Sequence, residues 1–398
     1  MTDQFPPLGI LDIPERGPGF IRRRAESYLP APGDAQVPAR LIQEFGLRIG
    51  DEISGEITTG GGGGGGRDRG GRGGRGGRNS GGQTLGRITA INGTAPEGAR
   101  HRPAFATLPA IHPNVQLRLD AGLTRRGQPD PTNRVIDLMC PLGKGQRALI
   151  VAPAKAGKTT ILQSIAEGIT KNYPKMKLFV LLVDERPEEV TDMEMAGFGE
   201  VIASSFDCPA EQHVAVAELT LERARRVVEQ GEDATIILDS ITRLARAFNA
   251  YEKGSGRTMS GGLDATSLER PKRFFGSARQ VDPARGGGSL TIIATALIDT
   301  GSKMDQIIYE EFKGTGNSEL VLSREMAERR IFPAVDLQGS GTRREELLLT
   351  PELLTATRTL RNQWARLPSI TAMEQILNLL RRTKSNDELP AVVGAAKG

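Results

Sequence analysis

The sequence predicts an α/β P-loop domain preceded by a small all-β barrel, and three observations carry that expectation. A phosphate-loop pattern follows a short apolar strand. Three further apolar strands alternate with amphipathic helical stretches, the sign of a buried parallel sheet. Ahead of them, the first hundred residues hold short strand-like segments separated by Pro, Gly and Asp clusters.

The phosphate loop is the most specific of the three. Residues 148–151 form an apolar run, and Ala152-x-x-x-x-Gly157-Lys158-Thr159 follows directly. In such a loop, backbone N–H groups ring the phosphates of a nucleoside triphosphate. Gly157 lets the backbone curl close, Lys158 reaches the β/γ oxygens, and the Thr159 hydroxyl is a magnesium ligand. The pattern usually opens with Gly and here opens with Ala152, so context has to support it. After Thr159, the apolar residues Ile161, Leu162, Ile165, Ala166 and Ile169 share one helical face. The segments 178–183, 234–238 and 290–298 are nearly all apolar, and helix-like stretches occupy 214–228 and 241–248.

Composition narrows the class. A chain of 398 residues suits two to three domains with full cores. No apolar run approaches the roughly 18 residues a membrane span needs. Met-Thr-Asp-Gln-Phe-Pro-Pro does not read as a signal peptide. Cys140 and Cys208 are too few for a disulfide framework, so a reducing cytoplasm is the expected compartment. His101, His112 and His213 are scattered and suggest no metal cluster. The net charge is +4, and residues 60–82 alone hold five arginines (67, 69, 72, 75 and 78) against Asp68. That glycine-rich segment lacks the apolar residues that offset backbone ordering, so disorder in isolation is expected. Its arginines suit nucleic-acid phosphates and bases; a solubilising loop insertion is the plainer reading.

Around it, segments 9–13, 19–23, 51–57 and 85–91 read as strands of an OB or cold-shock barrel. Such barrels bind single strands by stacking bases on aromatics above a basic surface. Gly17-Pro18-Gly19-Phe20-Ile21-Arg22-Arg23 offers one aromatic and a basic run, with Phe20 in the core as the alternative. The insertion falls at a hairpin tip, where it disturbs a barrel least.

The order of these parts resembles the bacterial transcription termination factor Rho family of RecA-like, ring-shaped, RNA-dependent ATPases and helicases. The motifs are Gly143-Lys144-Gly145-Gln146-Arg147, Lys155-Ala156-Gly157-Lys158-Thr159, Val183-Asp184-Glu185-Arg186-Pro187, Leu238-Asp239-Ser240-Ile241-Thr242-Arg243 and Gly301-Ser302-Lys303-Met304-Asp305. The resemblance is dense from about Arg134 onward and looser over 9–113. The helical module that often precedes the barrel in that family is not expected here. It implies a domain division of 1–115 for the RNA-binding barrel, 116–133 for a linker and 134–398 for the ATPase. It also implies a homohexamer that uses ATP and Mg²⁺, takes single-stranded RNA through its channel and acts on the RNA polymerase elongation complex, with no membrane association.

The same resemblance assigns roles. Gly143 to Ala148, together with Lys155, Ala156, Gly157, Lys158, Thr159 and Thr160, would bind nucleotide, and Phe332 would line the adenine pocket. Asp239, ending an apolar strand, would share Mg²⁺ with Thr159. Glu185 would polarise the attacking water, with Glu188 and Glu189 close enough to compete. Arg186 would contact phosphate, and Arg343 would be the finger that reaches a neighbouring subunit, with Arg344 as rival. Two loops would meet RNA in the channel: Arg257, Thr258, Met259, Ser260, Gly261 and Gly262 in one, Lys303 in the other. In the barrel, Gly17, Gly19, Phe20, Ile21 and Arg22 would form the first RNA site. That site departs from the family: a second aromatic is absent, Gln36 stands where a base-stacking Tyr is common, and the third element falls near 80–82. The alternatives are a rotary-type ATPase subunit, which shares the core and a barrel, and an RNA-binding protein with a vestigial nucleotide site.

Overall fold

Short strands with buried apolar residues close the N-terminal segment on itself. The computed structural model describes residues 6–59, 82–125, 127–252, 262–264 and 266–395. The insertion at 60–82, apart from Gly82, and Arg257 to Gly261, expected to meet RNA, therefore lie outside the described residues. The chain divides into two compact units, Met1–Pro103 and Ala104–Gly398.

The first unit is a closed barrel of strand order β1-β2-β3-β5-β4. Its strands are β1 (Gly9–Asp12), β2 (Gly19–Arg22), β3 (Ala35–Val37), β4 (Glu52–Thr59) and β5 (Gln83–Ile91), with helix α1 (Ala39–Phe45) after β3. Leu11, Ile21, Val37, Ile53, Leu85 and Ile91 fill its interior. Closure removes the exposed edges that an open sheet would carry. The β4–β5 ladder ends on the pair Thr59 and Gln83, so the insertion does leave from a hairpin tip.

The second unit begins earlier than the sequence suggests. Phe105, expected with the barrel, is buried here: its N–H donates to Glu229 Oε1 at 2.7 Å and its ring lies under Arg225 and Arg279. Strand β6 (Ala110–Ile111) pairs with β13 (Arg279–Val281) of the main sheet. The expected linker 116–133 is likewise built in. Leu117 and Leu119 are fully buried, and the N–H groups of Leu119 and Asp120 donate to Asp137. A short ribbon of β7 (Thr124–Arg125) and β8 (Gln128–Pro129) leads to helix α2 (Thr132–Met139).

The main sheet runs β11-β10-β12-β14-β9-β15-β16. β9 (Arg147–Pro153), β10 (Lys177–Glu185), β11 (Glu200–Ser205), β12 (Asp233–Asp239), β14 (Ser289–Ile298) and β15 (Ser318–Val321) pair in parallel. β16 (Gly341–Thr342) closes the edge antiparallel to β15. Helices α3 (Lys158–Asn172), α4 (Pro187–Ala196), α5 (Ala210–Glu229), α6 (Ile241–Tyr251), α7 (Glu269–Gly276), α8 (Lys303–Thr315) and α9 (Arg324–Glu328) connect the strands. The strands read as continuous apolar runs because both faces are covered. One large core takes in β9, α2, α3 and the C-terminal helices α10 (Pro351–Trp364), α11 (Ser369–Leu380) and α12 (Leu389–Ala395).

One guanidinium holds that C-terminal segment. Buried Arg134 on α2 donates to the Leu380 and Thr383 carbonyls, the Thr383 hydroxyl and Asn386 Oδ1. Arg134→Ala leaves the Thr383 carbonyl and Asn386 Oδ1 without their donor, while the Leu380 carbonyl keeps the Thr383 N–H and hydroxyl; the change should cost roughly 2–6 kcal/mol, at about 1–3 per orphaned buried group. A lowered urea midpoint with unchanged slope is the expected reading.

Candidate nucleotide-hydrolysis site

In a parallel sheet every strand delivers its carboxyl end to the same edge, and three such ends make this site. β9 runs into the phosphate loop, β10 ends on Glu185 and β12 ends on Asp239. Gly157 takes φ +89°, a conformation that suits glycine, and α3 starts at Lys158. A methyl group there would lie 3.7 Å from the ring of Phe332, so that aromatic, 49% exposed, stands beside the loop.

Charge is closely balanced around Lys158. Its Nζ donates to Asp239 Oδ1 at 2.9 Å and to Glu185 Oε2 at 3.3 Å. Glu185 is 1% exposed and also meets Arg243 Nη1 at 3.1 Å. Arg243 donates as well to the Asp184 carbonyl. The Thr295 hydroxyl, on β14 between β9 and β12, donates to Asp239 Oδ1 at 2.7 Å. Burial alone would lower the Lys158 pKa, but the Asp239 and Glu185 charges hold it above its ordinary value. Burial pushes Glu185 up, yet Lys158 and Arg243 outweigh it and keep the carboxyl below the usual range. Glu189 is pushed up by burial and by the neighbouring Glu185 charge.

Glu185, Glu189 and Asp239 offer oxygens within 4.8 Å of one another, and the Thr159 hydroxyl donates to Glu189 Oε2 at 3.5 Å. An all-oxygen set of carboxylates and a hydroxyl suits Mg²⁺, so these residues fit the expected ion. Of the competing carboxylates, Glu189 is half-buried beside this cluster and Glu188 is exposed. Arg186, Lys155 and Thr160 are exposed at the same edge, and Ala156 is buried in the loop. Arg243 and Thr295 are members that sequence reading missed. Two hydroxyls, Thr291 and Thr295, interrupt the apolar 290–298 strand, and the one nearer its carboxyl end was the available signal.

Gly143, Lys144, Gly145, Gln146, Arg147 and Ala148, expected to bind nucleotide at a boundary between subunits, lie away from this chain's own phosphate loop. They precede or open β9, whereas the loop follows its far end, roughly 20 Å along a seven-residue strand. Their contacts here are internal. Lys144 pairs with Asp233 at 2.6 Å, and Gln146 donates to Asn317. Arg147 donates to the Thr315 and Ala278 carbonyls. Gly145 has φ +86°, and a Cβ there would strike Gln280 N at 2.2 Å. Arg343 lies at that same edge: its N–H donates to the Asn317 carbonyl, and the Asn317 N–H donates to Arg147 O. It is exposed and has no ion-pair partner among the described residues, whereas Arg344 pairs with Glu346 at 2.6 Å.

The two loops expected to meet RNA are partly described. Lys303 is exposed as the first residue of α8, capped by Ser302. Gly262 lies against Met304, where a Cβ would be 3.6 Å from its methyl, and its carbonyl accepts from Asn249 Nδ2. Asp305, next along, is gripped by Arg246 of α6. In the barrel, Phe20, Gln36 and Thr84 are successive cross-strand neighbours on the outer surface. Ile21 points into the core at 2% exposure, so its side chain is not available to a ligand. Arg22, 9% exposed, pairs with Asp12 at 2.7 Å and Asp34 at 2.8 Å and lies 5.0 Å over the Phe20 ring. It supports the aromatic rather than offering a free cation. Gly17 has φ +110°, and Gly19 packs so closely that a Cβ would be 2.9 Å from Leu11.

Fold and site define a RecA-like P-loop ATPase, and residues 132–342 match the ATP synthase alpha/beta family nucleotide-binding domain. Residues 8–97 match the Rho termination factor RNA-binding domain. Transcription termination factor Rho of Escherichia coli K12 is 50% identical over 380 residues, covering 96% of this chain and 86% of that protein. The factor of Buchnera aphidicola is 51% identical with the same coverage, and that of Gemmatimonas aurantiaca is 52% identical over 376 residues. The chain spans about half, 49%, of the Gemmatimonas protein's length. An ATPase of a bacterial type III secretion system shares the fold with TM-score 0.53 and 26% identity, over 60% of this chain and 68% of that one. The chain belongs to the transcription termination factor Rho family. Neither alternative, the rotary subunit or the vestigial site, is favoured by these relationships.

Lys158→Ala should remove nucleotide hydrolysis. It should also lower the stability of the nucleotide-free protein by about 1–3 kcal/mol, because Asp239 and Glu185 lose their shared cation. Glu185→Gln should keep nucleotide binding and lose hydrolysis. Fluorescent-nucleotide titration and phosphate release separate the two outcomes.

Proposed function

We propose that this chain is an RNA-dependent ATPase that moves 5′ to 3′ along single-stranded RNA, separates RNA–DNA hybrids and terminates transcription. It would do so as a homohexamer in the cytoplasm, acting on the RNA polymerase elongation complex. The observation that carries the reading is the gathering of Lys158, Thr159, Glu185 and Asp239 at one sheet edge, within a chain half identical to factors of that name.

Thr159 and Asp239 would hold Mg²⁺, which when bound neutralises phosphate charge. Lys158 exchanges its two carboxylates for phosphate oxygens. Glu185, thereby released from Lys158 but still oriented by Arg243, accepts a proton from the attacking water. Arg186 and Phe332 flank the nucleotide. Arg343 sits too far from its own phosphate loop to serve it, which supports a role in the neighbouring subunit's site, where charge develops on the γ-phosphate. Gly143 to Ala148, at the same edge as Arg343, would face that neighbour too. Lys303, Gly262 and the Arg257 segment would line the RNA channel.

The first RNA site is thinner than the family's, with Phe20 as its aromatic and Gln36 beside it. A lost stacking platform costs about 1–3 kcal/mol per base, and the arginines of the Gly/Arg insertion between β4 and β5 would partly replace it with less selective contacts. Deleting 60–82 should weaken RNA binding and flatten its salt dependence; unchanged affinity and slope would contradict this.

The direct test is steady-state ATP hydrolysis with and without single-stranded RNA. Strong stimulation, absent in Lys158→Ala, is expected. Hydrolysis indifferent to RNA would refute RNA coupling.

A further inference from the structure

Asn317 carries no reactive group and has no task in the mechanism above, yet five hydrogen bonds converge on it. α8 ends at Thr315 and β15 starts at Ser318, so Asn317 stands just ahead of a strand that has β9 on one side and β16 on the other. Its N–H donates to the Arg147 carbonyl at 3.0 Å, and its own carbonyl accepts from the Arg343 N–H at 2.9 Å. Its side-chain Oδ1 accepts from the Arg147 N–H at 2.9 Å and from Gln146 Nε2 at 2.7 Å. Gln146 Nε2 also reaches the Asn317 carbonyl, at 3.1 Å. Gln146 is 1% exposed, so the clamp is anchored in the interior.

We propose that Asn317 is the positioning residue for Arg343: it ties the residue after β16 to the entry of β9 and so sets where the Arg343 guanidinium meets the neighbouring subunit's nucleotide. This rests on the ATPase reading above, in which Arg343 acts across the subunit boundary. Three facts lead to it. β16 pairs with β15 only through Thr342 with Ser318 and Gly341 with Glu319, a ladder too short to fix the residue beyond it. Asn317 supplies the missing bond to Arg343 itself. The third fact is electrostatic. The Arg147 guanidinium is held by the Thr315 and Ala278 carbonyls, and its pKa is lowered by burial and then by the Arg343 charge. Like charges this close repel, so with Arg147 fixed, Arg343 is driven off its own edge toward an anion elsewhere. Asn317 is neutral and holds both backbones without drawing either cation back.

The test is ATP hydrolysis by full-length Asn317→Ala in the presence of single-stranded RNA, alone and after subunit exchange with two other variants. Alone, kcat should fall about a hundredfold, the loss that a misplacement of about 1 Å can bring. Fluorescent-ADP affinity should stay unchanged, because the phosphate loop is untouched. Mixed with Lys158→Ala chains, hydrolysis should return, since those chains bring an intact arginine edge to the intact phosphate loop of Asn317→Ala. Mixed with Arg343→Ala chains it should stay low, because both variants lack the same edge. A general folding fault would be rescued by neither partner, and a fault at the phosphate loop would be rescued by Arg343→Ala instead. Either result overturns the proposal, and so does an undiminished kcat in Asn317→Ala. Lys158→Ala mixed with Arg343→Ala is the control. If mixed rings of that pair stay inactive, Arg343 does not act across the boundary, and the reading beneath the proposal fails together with it.

Discussion

The polarity of the parallel sheet is the constraint on which the rest of this structure depends. Because β9, β10, β12 and β14 run the same way, their carboxyl ends deliver the phosphate loop, Glu185 and Asp239 to one edge. The same polarity leaves Arg147 and Asn317 at the other, and antiparallel β16 brings Arg343 to them. No rearrangement of an arginine side chain spans a seven-residue strand. On the function proposed above, the sheet would divide the chemistry of hydrolysis between two edges, and a partner copy would reunite them.

Within the first edge, the nucleotide-free site is electrostatically closed. Lys158 is neutralised by Asp239 and Glu185, and Glu185 by Arg243 as well. Buried charges are tolerable only when so paired. On the proposed mechanism, arriving phosphates would compete for Lys158 and free the two acids, so that binding would itself prepare the site. Helix α6 links this edge to Lys303: Arg243 in its first turn holds Glu185, and Arg246 one turn later holds Asp305, two residues from Lys303.

Much of this was legible in the sequence. Apolar runs announced the buried strands, the Gly-Lys-Thr loop announced the phosphate site, and residues at strand ends gave Glu185 and Asp239. What escaped notice depended on three-dimensional neighbours. Thr295 lies 56 residues from Asp239, and no local pattern links them. β3 (Ala35–Val37) is too short for alternation to be visible. Residues 104–133 looked like the end of a barrel and a linker, but Phe105, Leu117 and Leu119 are buried in the second unit by distant partners. Arg22 looked like a surface cation until Asp12 and Asp34 claimed it. The loop 143–148 is close to the phosphate loop in sequence, yet a strand's length away in space.

The measurement that tests the central claim most directly is complementation between two inactive variants. Lys158→Ala and Arg343→Ala chains would be purified separately, shown to be inactive, then mixed under subunit exchange and assayed for RNA-stimulated ATP hydrolysis. If the arginine acts across the subunit boundary, mixed rings contain interfaces that join an intact phosphate loop to an intact arginine, and hydrolysis returns. If mixed rings form and stay inactive, the division of the site between the two edges of the sheet is wrong.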